Sequence, residues 1–162
     1  MKLTVGVIQI TASDQPGDNL KNVLKMVRDA HAEGARFIVT PEVTNCISSD
    51  RAHQVEVLYH QDDDPSLMAF QQVAAELEVW LLIGSLALKT DDPDGRFANR
   101  SCLLGPDGAI AAHYDKIHMF DVAISEKETF QESKGYRPGN RAVLVDCDFA
   151  KVGVTICYDV RF

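Results

Sequence analysis

Through the first half of the chain, the pattern of apolar and polar positions changes back and forth between the strand type and the helix type. Residues 2–10 are β-branched and mostly apolar at both alternating sets of positions, which predicts a strand covered on both faces. Residues 18–33 instead repeat apolar side chains at helical spacing, with Asp18 as the predicted N-cap and Gly34 just beyond the end. The apolar positions of this helix are Leu20, Val23, Leu24, Val27 and Ala30.

A second strand and helix follow in the same order. Residues 36–40 predict a short strand that ends at Pro41, and a polar loop continues through Asp50. Pro65 suits the first turn of a helix, and residues 80–88 predict a third strand. The apolar stripe of this second helix is Leu67, Phe70, Val73, Ala74 and Leu77.

The second half of the chain is dominated by turn signals. Two strand-like runs within residues 99–116 flank the sequence Gly-Pro-Asp-Gly at 105–108, which predicts a β-hairpin. Residues 117–140 are long and polar, and residues 142–145 and 152–156 predict two further strands. Early alternation of strands and helices with later hairpins favours a single domain of the α/β class: a mixed sheet with helices on one face.

The charge balance excludes several classes of partner. Sixteen Lys and Arg against 24 Asp and Glu give a formal net charge of -8, without a basic cluster that could neutralise phosphates. We therefore expect no nucleic-acid partner and no binding to an anionic membrane. The N-terminus does not resemble a signal peptide and no run approaches the ~18 apolar residues of a spanning helix, which predicts a cytoplasmic protein.

The cysteines and histidines do not predict a disulfide framework or a metal site. Four irregularly spaced cysteines without a Cys-x-x-Cys pair indicate free thiols. His113 and His118 suggest a metal hypothesis, but no further ligand stands at a spacing that would complete a zinc site. Cys102, inside an apolar run, is typical of a small buried hydrophobic residue.

Three residues whose side chains could take part in catalysis each follow a predicted strand. Glu42 could act as a general base, Lys116 could stabilise an oxyanion or a thiolate, and Cys157 could be a nucleophile. Taken singly, each also fits an ordinary role: a solvated acid, a surface lysine and a buried thiol. Because strand ends converge on one side of a layered α/β domain, the three side chains could share one cleft.

Three sequence blocks resemble the signature blocks of the nitrilase superfamily of carbon-nitrogen hydrolases, and they occur in the same order. They are Pro41-Glu42, the block at 114–121 (YDKIHMFD) and the block at 153–162 (GVTICYDVRF). The stretches FQES at 130–133 and RPG at 137–139 are similar to the branch that contains the ω-amidases and deaminated-glutathione amidases.

This resemblance implies an αββα sandwich of four layers and a Glu-Lys-Cys triad. Glu42 is then the general base, Lys116 the oxyanion-stabilising residue that also helps to keep the thiol ionised, and Cys157 the nucleophile. Glu132 corresponds to a second glutamate that positions Lys116 or the substrate. The resemblance implies no metal or organic cofactor, and it implies a homo-oligomer.

The implied function is hydrolysis of a small ω-monoamide such as α-ketoglutaramate or deaminated glutathione, through a thioester on Cys157. Both substrates carry carboxylates, so a cationic pocket residue is expected. The alternatives are an N-carbamoyl amino acid amidohydrolase, a nitrilase, or a non-catalytic or redox-sensing binding module. We expect residues 1–162 to form a carbon-nitrogen hydrolase domain that is incomplete at its C-terminus, because family members are longer and this chain stops just past the nucleophile.

Overall fold

The computed structural model describes residues 2–125 and 129–162, and its main element is a five-stranded mixed sheet. In chain order the helices and strands are β1 (Val5–Val7), α1 (Pro16–Ala32), β2 (Phe37–Val39), α2 (Arg51–Val57), α3 (Pro65–Leu77), β3 (Trp80–Leu88), β4 (Ala98–Leu104), β5 (Ile110–Asp115), β6 (Asp121–Ala123), β7 (Thr129–Gln131), β8 (Leu144–Asp146) and β9 (Lys151–Gly153). Short 3-10 turns cover Gln61–Asp63, Glu132–Lys134 and Cys157–Arg161.

The sheet order is β1-β2-β3-β4-β5. Strands β1, β2 and β3 are parallel, whereas β3, β4 and β5 are joined antiparallel. Strand β5 therefore runs in the same direction as β2 and β3. The carboxyl ends of β2, β3 and β5 and the beginning of β4 consequently lie at one edge of the sheet.

Helices α1 and α3 cover one face of this sheet and form the main hydrophobic core with it, as the apolar spacing predicts. The core side chains include Ile8, Val23, Val27, Ile38, Phe70, Leu81 and Ile83. Arg28 of α1 also donates a bidentate pair of hydrogen bonds to Glu76 of α3, at 2.6 and 2.7 Å.

The opposite face of the sheet is only partly covered within the described residues, so the first strand is buried on one face here rather than on both faces as predicted. The regular part of β1 is three residues long, and its outward side chains Val5 and Val7 are 46 % and 79 % exposed. Side chains alternate between faces along a strand, and both long helices lie on the Ile8 side. A smaller cluster, which includes Tyr114 of β5 with Val154 and Ile156, packs against Leu82 of β3 and covers part of this second face.

The helix starts differ from the sequence-based expectation in one case. The predicted cap Asp18 lies inside the first turn of α1, because the helix already begins at Pro16 with Gln15 at the N-cap position. Proline is pre-organised for the first helical turn and lacks the N–H that would be left unpaired there. Helix α3 begins at Pro65 as predicted, and Asp64 caps it through a 2.8 Å bond from the Leu67 amide.

Helix α2 and the β6–β7 hairpin were not predicted from the sequence. The loop after β2 continues to Asp50, whose carboxylate accepts hydrogen bonds from the first amides of α2. The polar segment 117–140 contains the β6–β7 hairpin, and its residues 126–128 lie outside the described part of the chain. Elements of three to seven residues are too short to produce a clear hydrophobic period.

The remaining predicted strands are confirmed, and most of them have shifted ends. Strand β3 has the predicted bounds, β4 and β5 form the predicted hairpin, and β8 pairs with β9. Across the described residues, no helix has both the length and the apolar character needed to cross a membrane.

Candidate active site

Glu42 lies just beyond β2, in a loop that is hydrogen-bonded to an irregular point of β3. The pairing of β3 with β4 changes register between Ile83 and Leu86. At that point Ser85 accepts a bond from the Val43 amide through its hydroxyl, at 2.8 Å. Val43 itself has a φ of 49°, so the loop turns sharply immediately after Glu42. The bulge in β3 thus holds the backbone beside Glu42.

Gly84 allows this loop to approach the strand closely. A Cβ atom at Gly84 would lie 2.0 Å from the carbonyl oxygen of Thr40, and only glycine leaves that space open. The Gly84 amide donates to the Thr40 hydroxyl at 3.0 Å. The position of Glu42 therefore depends on a backbone contact that no larger residue at position 84 would permit.

Lys116 follows β5 and lies between two carboxylates. Its Nζ donates to Oε1 of Glu42 at 2.8 Å and to both carboxylate oxygens of Glu132 at 2.9 Å. Lys116 is 2 % exposed. Glu132 comes from the 3-10 turn after β7 and also accepts a bond from the Phe120 amide at 2.7 Å. The structure therefore joins Glu42, Lys116 and Glu132 in one ion-paired group.

The ammonium of Lys116 is stabilised by its two partners. Burial alone would lower its pKa, but the hydrogen bonds to Glu132 and Glu42 outweigh burial and raise the pKa. Lys116 is therefore a permanent cation at neutral pH. It is not the surface lysine that its sequence position also allowed.

Asn99, near the start of β4, belongs to the same group although the sequence did not suggest it. Its side-chain NH2 donates to Glu42 Oε1 at 2.9 Å and lies 3.3 Å from Glu132 Oε1. An Asn at the start of a strand also occurs for reasons of turn formation, so residue type alone gives no signal here. Only the antiparallel return of β4 brings it to the carboxyl edge of the sheet.

Cys157 begins the 3-10 turn that follows β9 and is exposed. Its φ is 47°, in the left-handed region that residues with a Cβ rarely adopt. Strain of this kind is characteristic of residues at functional sites, where the surrounding structure must enforce it.

The pKa of the Cys157 thiol is raised, although Lys116 acts in the expected direction and favours the ionised form. Burial is the main cause, and the charge of Glu42 and a hydrogen bond to Glu42 act in the same direction. Lys116 lowers the pKa, but its effect is smaller. The thiol is therefore protonated at neutral pH and has a carboxylate acceptor beside it.

Asp159 anchors the turn that carries Cys157. This buried carboxylate accepts bonds from the Tyr114 hydroxyl at 2.6 Å, the His118 amide at 2.8 Å and the Ile156 amide at 2.9 Å. These donors come from β5, from the segment that follows Lys116 and from the residue before Cys157. Asp159 thus ties the cysteine to the strand end that carries the lysine.

A cavity of about 590 Å³ opens beside these residues. Glu42, Lys116, Glu132 and Cys157 all line it. The rest of its wall includes Cys46, Ser48, Gln54, Phe120, Phe130 and Tyr136. The wall is mostly apolar, with the ion-paired group at one side, which is typical of a small-molecule site.

The other sulfur and imidazole groups do not form a second site. All four cysteines are free, and Cys46, Cys102 and Cys147 are buried. Burial raises the pKa of Cys102 to about 12, in agreement with its interpretation as a core residue. Within residues 2–125 and 129–162, no group of three or more His, Cys, Asp or Glu is arranged to hold a metal ion.

Comparison with known proteins identifies the family. The carbon-nitrogen hydrolase family matches residues 4–162. The chain is 33% identical over 159 residues to omega-amidase NIT2 of Homo sapiens, covering 98% of this chain and 55% of that protein. It is 32% identical over 164 residues to the chloroplastic omega-amidase of Arabidopsis thaliana, covering 99% and 44%.

A solved structure supports the same assignment. The C. elegans NitFhit protein superposes with a TM-score of 0.83 at 25% identity, covering 98% of this chain and 38% of that one. This agreement confirms the predicted α/β class and the nitrilase-type fold. The chain spans about half the length of the curated relatives that it matches. The chain belongs to the carbon-nitrogen hydrolase family.

Proposed function

We propose that this chain carries the catalytic residues of a thiol-dependent amidase that hydrolyses a small carboxylate-bearing ω-monoamide to the acid and ammonia. The observation that carries this proposal is the meeting of Glu42, Lys116, Glu132 and Cys157 at one cavity. Family membership and the omega-amidase relatives support the same reaction class.

Glu42 is the proton acceptor in the first step. The thiol of Cys157 has a raised pKa and lines the same cavity as Glu42, so it needs a base when it attacks, and Glu42 is the carboxylate placed to serve. The sulfur forms a bond to the amide carbonyl carbon while the proton passes to Glu42. The protonated Glu42 then gives this proton to the leaving nitrogen, and ammonia departs from the resulting thioester.

The second half-reaction uses the same groups. Glu42, again a carboxylate, takes a proton from a water molecule that attacks the thioester carbonyl. The acid product leaves and the sulfur takes the proton back from Glu42. The proton balance closes without a cofactor.

Lys116 stabilises the oxyanion that forms at each tetrahedral stage. A lysine ammonium has three N–H donors, and the two Glu132 oxygens can share one of them. A second donor meets Glu42, which leaves the third for the substrate oxygen. Glu132 fixes the direction of this ammonium and balances part of its charge.

The cavity wall restricts how a substrate carboxylate can bind. Among the described residues of the wall, Lys116 is the basic one, and it already contacts two carboxylates. The expected cationic pocket residue therefore has no match among them. The substrate carboxylate has to meet polar donors such as Ser48 and Gln131, or a cation from outside this wall.

The test is ammonia release from α-ketoglutaramate, deaminated glutathione, an N-carbamoyl amino acid and a simple nitrile. We expect turnover of one of the first two, abolished by Cys157→Ala and retained by the matched control Cys147→Ala. Turnover of the N-carbamoyl compound or the nitrile alone would overturn the substrate class. No turnover of any of the four by a folded protein would contradict the amidase.

A further inference from the structure

Asn99 is the buried member of the catalytic cluster that the reaction above does not use. Its side-chain NH2 meets Glu42 at 2.9 Å and Glu132 at 3.3 Å, and Asn99 is 1 % exposed. Its carbonyl oxygen Oδ1 is buried without a hydrogen-bond partner in the described part of the chain. Burying a polar atom in this way is costly, so the amide is held here for what its NH2 group does.

The orientation of this amide follows from its neighbours. A reversed amide would place Oδ1 against two carboxylates and would repel both. With the NH2 group facing them, Asn99 bridges Glu42 and Glu132 in the same way as the ammonium of Lys116 does. Two anions thus share two donors, of which only one carries a full positive charge.

The two carboxylate oxygens of Glu42 differ in their hydrogen bonds. Lys116 and Asn99 both donate to Oε1, at 2.8 and 2.9 Å. An oxygen that already accepts two short hydrogen bonds is a poor acceptor for another proton. The proton of the Cys157 thiol is therefore directed to Oε2.

We propose that Asn99 is a positioning residue that bridges Glu42 to Glu132 beside a single lysine and orients Glu42, so that Oε2 receives the Cys157 proton. The inference rests on the proposed function, because it takes Glu42 as the base and Cys157 as the nucleophile. Asn99 acts through Glu42 and does not contact the reacting atoms in this scheme.

The decisive variant is Asn99→Asp, which keeps the side-chain shape and replaces the bridging donor by a third carboxylate. Like charges that share a site raise one another's pKa, and they raise that of the thiol as well. We expect the acid limb of kcat/KM to move up by about one pH unit or more. The pH profile of the rate at which iodoacetamide alkylates Cys157 should also move to higher pH. In that step sulfur bonds to the methylene carbon, iodide leaves and the thiol loses its proton.

Asn45→Asp is the matched control. Asn45 is also buried, but its side chain bonds the backbone of Ala87, with both distances at 2.9 Å. We expect this control to lower the unfolding temperature and to leave both pH profiles in place. If the profiles of folded Asn99→Asp coincide with those of the unmodified protein, Asn99 has only a structural role and the proposal fails.

Asn99→Ser provides a second test that adds no charge. Loss of the bridging donor should lower kcat about tenfold with little change in KM, since Glu42 is then less well placed in the transition state. An unchanged kcat would contradict the proposal. If both Asn99 variants fail to fold while Asn45→Asp folds, Asn99 serves the stability of β4 and the proposal is again overturned.

The alkylation readout separates this inference from the amidase proposal, because it requires no amide substrate. A shifted alkylation profile without ammonia release from any amide would refute the amidase and keep the role of Asn99 at the thiol. Amide turnover with an unshifted Asn99→Asp profile would refute the role of Asn99 alone.

Discussion

The core under α1 and α3 and the polar cluster at the carboxyl edge of the sheet are assembled in different ways. Core residues such as Val23, Val27 and Phe70 recur at helical spacing and need only be apolar and of suitable size. The cluster joins Lys116 to Glu42 across 74 positions and Asn99 to Glu132 across 33 positions. Each of its contacts depends on direction and charge.

This difference separates stability from chemistry within one small sheet. Apolar burial is non-directional, so the core can absorb conservative changes. A buried ion pair compensates for its own desolvation only while both partners are present, so the cluster cannot absorb the loss of a charge. Substitutions in the two regions should therefore differ in which property they change.

The largest combined effect is expected for Lys116→Met, which leaves Glu42 and Glu132 without their cation. Breaking a buried pair in this way should lower the unfolding free energy by about 3–5 kcal/mol. Loss of the oxyanion donor should lower kcat by about 10²–10³-fold. Urea unfolding and steady-state kinetics measure the two effects, with the exposed Lys21→Met of α1 as control. A variant as stable as the parent protein would contradict the buried-pair interpretation.

Phe70→Ala should affect the core alone. Phe70 is fully buried between the sheet and the helices, and its truncation should cost about 3–5 kcal/mol of unfolding free energy. The kcat of the protein that remains folded should not change, because Phe70 does not line the cavity. Val7→Ala, on the exposed side of β1, is the comparison variant. A loss of kcat in folded Phe70→Ala would show that core and cluster are coupled.

Asp159→Asn should produce a smaller, pH-dependent change. Burial alone would raise the pKa of Asp159, but hydrogen bonds from Tyr114, Ile156 and His118 outweigh it and lower the pKa. The stabilisation is thus present above the unfolded pKa of about 3.9 and is lost as the pH falls through the lower folded value.

Replacing this carboxylate should cost about 1–3 kcal/mol at neutral pH and less in acid. Thermal unfolding followed from pH 7 down to pH 2 measures the effect. An equal loss of stability at every pH would mean that the charge of Asp159 is not what stabilises the turn of Cys157.

The smallest effect is expected at the surface pair of α1. Lys25 and Asp29 form an i,i+4 bond of 2.6 Å with both side chains largely exposed. Lys25→Ala should change the unfolding free energy by about 0.3–0.5 kcal/mol, and added salt should reduce this difference. A loss above 1 kcal/mol would place this pair outside the range of ordinary surface pairs.

The sequence predicts most of the core because periodic burial is a local property. The spacing of Val23 and Val27 reports a helix, and the apolar run in 80–88 reports β3 without any knowledge of the partner elements. The same local pattern does not tell which faces of β1 are covered within this chain, because an apolar strand has the same sequence pattern whether one or both of its faces are packed. Val5 and Val7 are apolar and yet exposed.

Only part of the polar cluster could be predicted from the sequence. Strand-end position together with the family resemblance indicates Glu42, Lys116, Glu132 and Cys157, and the structure brings all four to one cavity. The sequence did not indicate Asn99, because its role arises from strand order and register, which a local pattern does not encode. The raised pKa of Cys157 was likewise missed, because it depends first on burial in the folded chain and then on Glu42, which is distant in sequence.

The left-handed backbone of Cys157 has a consequence for how this position can change. Alanine and serine keep a Cβ atom, so they remove the sulfur but leave the backbone of the turn equally strained. Glycine removes the strain together with the sulfur. A lineage that no longer needed the nucleophile would be expected to drift toward glycine here, and a glycine at 157 would then mark the loss of the chemistry.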